Sequence, residues 1–282
     1  RARAATSRMT SAVHGTRMTT ATDTAEPLVK LSHIRKTYES QRGDVLAIDD
    51  IDFSVGDREF LVIVGASGCG KSTLLKIIAG LTPISGGEVL LRGRSTTSSD
   101  TGKPALAMVF QSPVLFKWKT VMGNLFAPIE LMKLPVDEYR EKARQLLERT
   151  GLVGFENHYP HELSGGMRQR VSICRSLIYD PEVILMDEPF GALDALTRDK
   201  LNFEIQRIWQ AERKTVIFVT HSISEAVFLA DRVVVLNKRP STVREIVDID
   251  LPRPRTLEMK TSEAFGRYTL QIYRQISEGF EE

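Results

Sequence analysis

Two short apolar stretches, Leu28 to Ile34 and Val45 to Phe53, are separated by the polar run YESQRGD and read as strands. The run Phe60-Leu61-Val62-Ile63-Val64 has no polar alternation, the pattern of a strand buried on both faces. A glycine-rich loop follows it, and Ser72 to Ala79 then takes helical character. Gly86-Gly87 separates this unit from the strand-like EVLLRG, and AMVF precedes Gln111. From 120 to 150 the pattern becomes helical, with Glu138 and Lys142 spaced for an i,i+4 pair and Pro135 dividing two pieces. A further helix follows LSGG. Extended patterning returns in VILMD (183–187), TVIFV (215–219) and RVVVL (232–236). These elements predict an α/β core interrupted by a mainly helical insertion, approximately residues 112–178. The proline-bearing stretch 240–256 reads as a connection to a final helix near 257–278.

Composition narrows the picture modestly. A chain of 282 residues can bury a substantial core, in one large domain or two smaller ones, and 42% hydrophobic with 26% charged content is ordinary for a folded soluble protein. The net charge of +2 depends on Arg1, Arg3, Arg8 and Arg17; without them 34 basic residues face 36 acidic ones, so charge gives no support for nucleic-acid binding. Residues 1–27, rich in Arg, Ser, Thr and Ala, fit a flexible tail, with a transit peptide as the alternative. No run approaches the roughly 18 apolar residues that signal a bilayer-crossing helix. Cys69 and Cys174 belong to no metal-ligand cluster and are expected as thiols.

The strongest chemical signal is Gly65-Ala66-Ser67-Gly68-Cys69-Gly70-Lys71-Ser72-Thr73, a GxxxxGK[ST] loop between a buried strand and a helix. Glycines let backbone amides face a phosphate, Lys71 supplies positive charge, the Ser72 hydroxyl suits Mg²⁺, and Thr73 lies near the helix entrance for phosphate. Cys69 reads as a tolerated small side chain, since no histidine partner marks it as a nucleophile. The segment VILMDEP then delivers Asp187 and Glu188 at a strand exit. Asp187 suits orientation of hydrated Mg²⁺, and Glu188 suits polarisation of a water. Strand-end acids are common on surfaces, so the combination with the phosphate loop, rather than either motif alone, points to nucleotide hydrolysis.

The ordered set GASGCGKST, Gln111, LSGGMRQR, VILMDEP, GALD and His221 resembles the ATP-binding subunits of ATP-binding-cassette transporters across roughly residues 28–240. The resemblance implies a P-loop NTPase core of that ABC type, with an antiparallel β subdomain, the helical insertion, and a C-terminal extension over 241–282. It implies ATP and Mg²⁺ as ligands, with Tyr38 stacking on adenine, although an aromatic there also serves a core or a surface. Gln111 would sense Mg²⁺ and the γ-phosphate region, and His221 would reach the γ-phosphate and the attacking water. Ser164, Gly165 and Gly166 would cover the ATP held by a second cassette, and Asp194 would communicate between the opposed sites. As a local feature, LSGG is also a helix cap. The family commonly carries serine where Gly191 stands here.

One motif set per chain implies a homodimer with two composite sites. It also implies two transmembrane permease subunits, an indirectly linked solute-binding protein, and a peripheral position on the cytoplasmic face of the inner or plasma membrane. By composition the apolar-aromatic residues Val114, Leu115, Phe116 and Trp118 are more often a subdomain core, and the resemblance implies that this region contacts the permease. YPHELSGGMRQR, THSISEAVFLADRVVVL and LPRPR further resemble importer ATPases for nitrate, taurine and aliphatic sulfonates. A non-transport ATPase of the same superfamily, another solute and an exporter remain the alternatives.

Overall fold

Burial of apolar strands organises the molecule, for which a computed structural model describes residues 26–41, 43–96, 105–191 and 193–278. The expected tail lies almost wholly outside these residues. Strands β1 (Val29–Tyr38) and β2 (Val45–Val55) pair antiparallel. Next come β3 (Phe60–Gly65), the phosphate-loop helix α1 (Lys71–Ile78), β4 (Gly86–Leu91), β5 (Arg94–Ser95) and β6 (Leu106–Val109). Strands β2, β1, β4 and β5, in that order, form an antiparallel sheet. Its close approach explains one glycine. At Gly87, with φ +84°, a Cβ would lie 2.3 Å from the His33 carbonyl oxygen and 2.4 Å from that of Ser32.

The insertion contains α2 (Val121–Leu131), α3 (Arg140–Arg149) and α4 (Gly165–Leu177), all helical as the spacing predicts. Thr120 caps α2 by accepting from the Gly123 amide. Leu125, Ile129, Leu146, Val171 and Cys174 lie in its apolar core. The expected Glu138–Lys142 pairing gives way to a tertiary contact, because Lys142 Nζ meets Asp180 Oδ1 at 3.0 Å.

The chain then returns to the core through β7 (Val183–Asp187), α5 (Ala195–Glu212), β8 (Thr215–Val219), α6 (Ile223–Leu229) and β9 (Arg232–Leu236). In the second sheet β6, β7, β8, β3 and β9 follow in that order, parallel to one another. Phe60, Val62, Val64, Phe218 and Val235 pack on one face, and Leu61, Ile63, Ile217 and Val234 on the other. Burial on both faces is why these strands lack polar alternation.

The stretch expected as a connection instead contains a sixth strand, β10 (Val243–Asp248), added antiparallel to β9. Pro240, Pro252 and Pro254 flank VREIVD rather than interrupt it, so its backbone amides remain free to pair. Helix α7 (Glu263–Glu278) buries Phe265 and Ile272 in the main core. The extension is clamped by Arg255, whose buried guanidinium donates to the carbonyls of Val227 (2.9 Å), Ala230 (2.7 Å), Ile249 (3.3 Å) and Leu251 (3.4 Å). Burial lowers its pKa to about 10. Gln206 holds the Arg255 backbone from both sides, at 2.8 and 2.9 Å.

Among the described residues no helix is long and apolar enough to cross a membrane.

Candidate active site

Parallel strands leave their loops at one edge of a sheet, so adjacent strands bring distant motifs together. Here β3 ends in the phosphate loop, β7 ends at Asp187, and β8 is followed by Thr220 and His221. Strand β8 lies between the other two.

The loop turns on Gly68 at φ +76° and Gly70 at φ +106°, with Gly70 capping α1. No acidic residue occupies the first turn of that helix, leaving its amide end compatible with an anion. Lys71 is buried and curls over the loop, donating to the carbonyls of Gly65 and Ala66, both at 3.0 Å. Cys69 packs beneath it, and burial pushes its thiol pKa up. A Cβ on Gly65 would sit 2.9 Å from the Cys69 sulfur, so the pair shares space that admits little larger. Ala66 is half-buried and Ser67 exposed at the rim. The Tyr38 hydroxyl comes 3.5 Å from Thr73 Oγ1, which puts the half-exposed ring beside the loop, with Lys36 Nζ 4.8 Å from its centroid.

Ser72 Oγ donates to Asp187 Oδ1 at 2.7 Å, joining the loop to β7. Burial raises the Asp187 pKa; the Ser72 bond opposes this, and the neighbouring Glu188 charge adds to it. Glu188, at φ +42°, turns away from the strand's alternation, and its Oε2 lies 3.1 Å from His221 Nδ1. Consecutive carboxylates therefore face different partners. Gln111 joins them from beyond β6: a Cβ on Gly191 would lie 3.3 Å from Gln111 Nε2 and 3.6 Å from Glu188 Oε2. Gly191 thus occupies the gap between the amide and the carboxylate.

Ser164, Gly165, Gly166 and Asp194 form a second group. Ser164 caps α4, accepting from the Met167 amide at 3.3 Å, and Asp194 caps α5, accepting from the Thr197 amide at 3.0 Å. That amide bond holds the exposed Asp194 carboxyl below its ordinary pKa. A Cβ on Gly166 would approach Thr197 Cγ2 to 3.1 Å, and one on Gly165 would meet Leu193 Cδ2 at 3.4 Å. The neighbours of LSGG are therefore the start of α5.

Sequence reasoning missed Arg239 and Ser241. Arg239 Nη2 donates to the Gly68 carbonyl at 3.3 Å. Ser241 is buried, exchanges backbone hydrogen bonds with Ala47 and Asp49 at 3.0 and 2.9 Å, and stands 3.1 Å from a Cβ on Gly70. The only hint in the sequence was a Lys-Arg-Pro run at the exit of a buried strand next to β3.

A family model described as ABC transporter matches residues 48–191. The chain belongs to the ABC transporter family. It therefore carries the ATP-hydrolysing domain of that family on an α/β P-loop fold. This ABC ATPase is 48% identical over 244 residues to an uncharacterized ABC transporter ATP-binding protein, MJ0412 of Methanocaldococcus jannaschii, covering 86% of this chain and 89% of that one. It is 40% identical over 252 residues to the aliphatic sulfonates import ATP-binding protein SsuB of Bacillus cereus, covering 89% and 96%. Among solved structures it resembles the dimeric bacterial cassette MJ0796, with a TM-score of 0.70 and 32% identity over 79% of this chain and 100% of that one. A post-hydrolysis MJ0796 dimer bound to ADP and Pi matches equally. The cassette cbiO1 of Clostridium perfringens, part of the transporter complex cbiONQ, matches with a TM-score of 0.72 and 25% identity over 92% and 100%.

Proposed function

We propose that two copies of this chain hydrolyse ATP in composite sites and thereby drive import of a small anion, such as nitrate, taurine or an aliphatic sulfonate, through separate membrane subunits. The observation that carries the chemistry is the meeting of Ser72 with Asp187 and of Glu188 with His221 at one sheet edge. Similarity to SsuB supports the direction and the solute class.

The residues present fit Mg-ATP. Hydroxyl and carboxylate oxygens from Ser72 and Asp187 suit a hard cation, and among the described residues no group of three or more His, Cys, Asp or Glu forms a separate metal site. Such a sparse protein set matches Mg²⁺, which completes its shell with water and phosphate oxygens. When bound, Mg²⁺ neutralises charge on the terminal phosphates. Lys71 exchanges its loop carbonyls for phosphate oxygens, the glycine-loop amides hold the phosphate chain, and Thr73 contacts it at the start of α1. Tyr38 lies along adenine. Gln111 would contact the γ-phosphate region and the cation. Glu188 accepts a proton from the attacking water, and His221 orients Glu188 and the γ-phosphate. From the opposite copy, Ser164 with the Gly165 and Gly166 amides closes over the phosphates, and Asp194 reports between sites.

Domain roles follow the same division. Residues 28–240 form the ATPase, and the segment around Val114, Phe116 and Trp118 in the insertion 112–178 meets the permease, while the described part of the extension over 241–282 packs back on the domain through Arg255 and α7. The assembly lies on the cytoplasmic face of the inner or plasma membrane, held there by two permease subunits, with a solute-binding protein supplying cargo.

Mixing a Lys71→Ala chain with a Ser164→Arg chain tests the composite site. One of the two sites in each mixed dimer then keeps both halves intact, so with random pairing of equal amounts hydrolysis returns towards roughly a quarter of normal. No recovery in any mixture refutes the two-chain site. Solute uptake by vesicles containing the reconstituted permease identifies the cargo, and ATP-driven export would overturn the direction.

A further inference from the structure

The loop before α5 and the loop before α6 are linked by side chains that the chemistry above does not use. Arg198, on the first turn of α5, donates through Nη2 to the Leu193 carbonyl at 3.1 Å. Its Nε lies 3.6 Å from Glu225 Oε1. The other oxygen of Glu225 accepts from the Thr220 hydroxyl, which itself accepts from the Ser222 amide at 3.0 Å. Thr220 and Ser222 bracket His221. The Glu225 side chain is 6% exposed and that of Arg198 26%, so solvent screens this partly buried pair less than a surface one.

These contacts connect two functional groups. Leu193 precedes Asp194 and touches the position where Gly165 would carry a Cβ, so it belongs to the group around LSGG. His221 meets Glu188, so it belongs to the site at the sheet edge. Signature helix α4 is also tied to α5 by the bidentate Arg170–Glu204 pair, at 2.7 and 2.5 Å. A continuous run of contacts therefore leads from the Leu193 carbonyl through Arg198 and Glu225 to Thr220 and Ser222 on either side of His221.

We infer that Arg198 and Glu225 are positioning residues: they register the His221 loop to the Leu193–Asp194 loop, so that closure over the partner's ATP is felt by His221 in the same chain. This rests on the composite-site reading above. Neither side chain lies on the path of the reacting atoms; each acts through a loop. A helix-to-helix staple alone would explain the ion pair, but Arg198 also engages the Leu193 carbonyl, and Glu225 also engages Thr220. Each side chain therefore reaches from its helix to a loop.

The test uses full-length Glu225→Gln, which keeps shape and the Thr220 bond, together with Arg198→Lys, Arg198→Met and the Glu225→Gln/Arg198→Met double variant. Steady-state hydrolysis, ATP affinity and urea melts are measured on each. Expected is a kcat loss of about 10-fold in Glu225→Gln and Arg198→Met, with KM for ATP within about 2-fold. Arg198→Lys recovers part of kcat, and the double variant falls no further than the worse single one, as coupled residues do. Unchanged kcat, a double variant whose losses multiply, or loss confined to KM or to the urea midpoint overturns the inference. Should Arg198→Met fail to fold, Glu225→Gln and Arg198→Lys decide by the same criteria. Hydrolysis that survives Lys71→Ala in a chain with Arg198 and Glu225 intact would instead sink the ATPase-site reading, and that outcome is separable from failure of the pair.

Discussion

Replacing Glu188 by glutamine removes one carboxylate charge and keeps the side chain's length, including an oxygen or amide able to meet His221 across the observed 3.1 Å. Because that contact survives, folding stability should move by less than about 1 kcal/mol. The chemistry should move far more. A positioned general base contributes about 10²–10⁴-fold, which corresponds to roughly 2.7–5.5 kcal/mol of barrier. Binding should move the other way. The Glu188 charge is one of the causes raising the Asp187 pKa, after burial, so its removal favours the ionised Asp187 that the proposed site would use to hold Mg²⁺. The expected result is kcat lowered at least 100-fold, KM for ATP unchanged or lower, and a longer-lived ATP-bound dimer. Phosphate release at saturating Mg-ATP gives kcat, and size-exclusion chromatography with and without ATP gives the dimer. A kcat within about threefold of the unmodified chain refutes Glu188 as the base. A parallel rise in KM would assign it to ground-state binding instead.

Gly191→Ser should be tolerated: its Cβ would meet Gln111 Nε2 at 3.3 Å, the far end of a flexible side chain, and its hydroxyl would gain a partner worth about 0.5–1.5 kcal/mol. A rise in thermal midpoint with activity retained supports this, and a loss of several degrees contradicts it. Gly87→Ala should cost more than about 3 kcal/mol in urea unfolding, since positive φ and a backbone oxygen 2.3 Å away leave the methyl no room. Arg255→Met should cost about 2–4 kcal/mol by the same assay, as four carbonyls lose a charged donor while the burial penalty on the guanidinium is relieved. Neither cysteine should react with iodoacetamide at pH 8 in the folded chain, because both are buried and burial raises the Cys69 pKa and takes that of Cys174 to about 12; both should react in denaturant. Rapid native labelling of either thiol would contradict the packing.

Much of the core was legible because a strand buried on both faces announces itself as an unbroken apolar run, as in Phe60–Val64 and Val183–Met186. The phosphate loop was equally visible, since its glycines and Lys71 must keep fixed spacing to surround a phosphate. Strand β10 was not, because VREIVD is short and half-exposed and lies among prolines. Its pairing depends on β9, which local pattern cannot express. Lys142 chose Asp180 over the helical neighbour Glu138 for the same tertiary reason. Candidate site residues were nameable singly, but their partners were not: Ser72 and Asp187 are 115 positions apart, and Arg239 reaches Gly68 across 171. Only strand order brings such pairs together. Arg255 reads as a surface arginine until the carbonyls around it are known.

Glu188 holds left-handed backbone at φ +42°, a conformation that costs a side-chain-bearing residue about 1–2 kcal/mol. That torsion separates two adjacent carboxylates, sending one to Ser72 and the other to His221. Glycine at 188 would relieve that torsion but forfeit the His221 contact and add unfolded-state freedom, so Glu188→Gly should leave stability within about 1 kcal/mol while removing the proposed base. Screens that rank variants by melting temperature would therefore pass over damage at this position, whereas screens for turnover would preserve a locally uncomfortable residue.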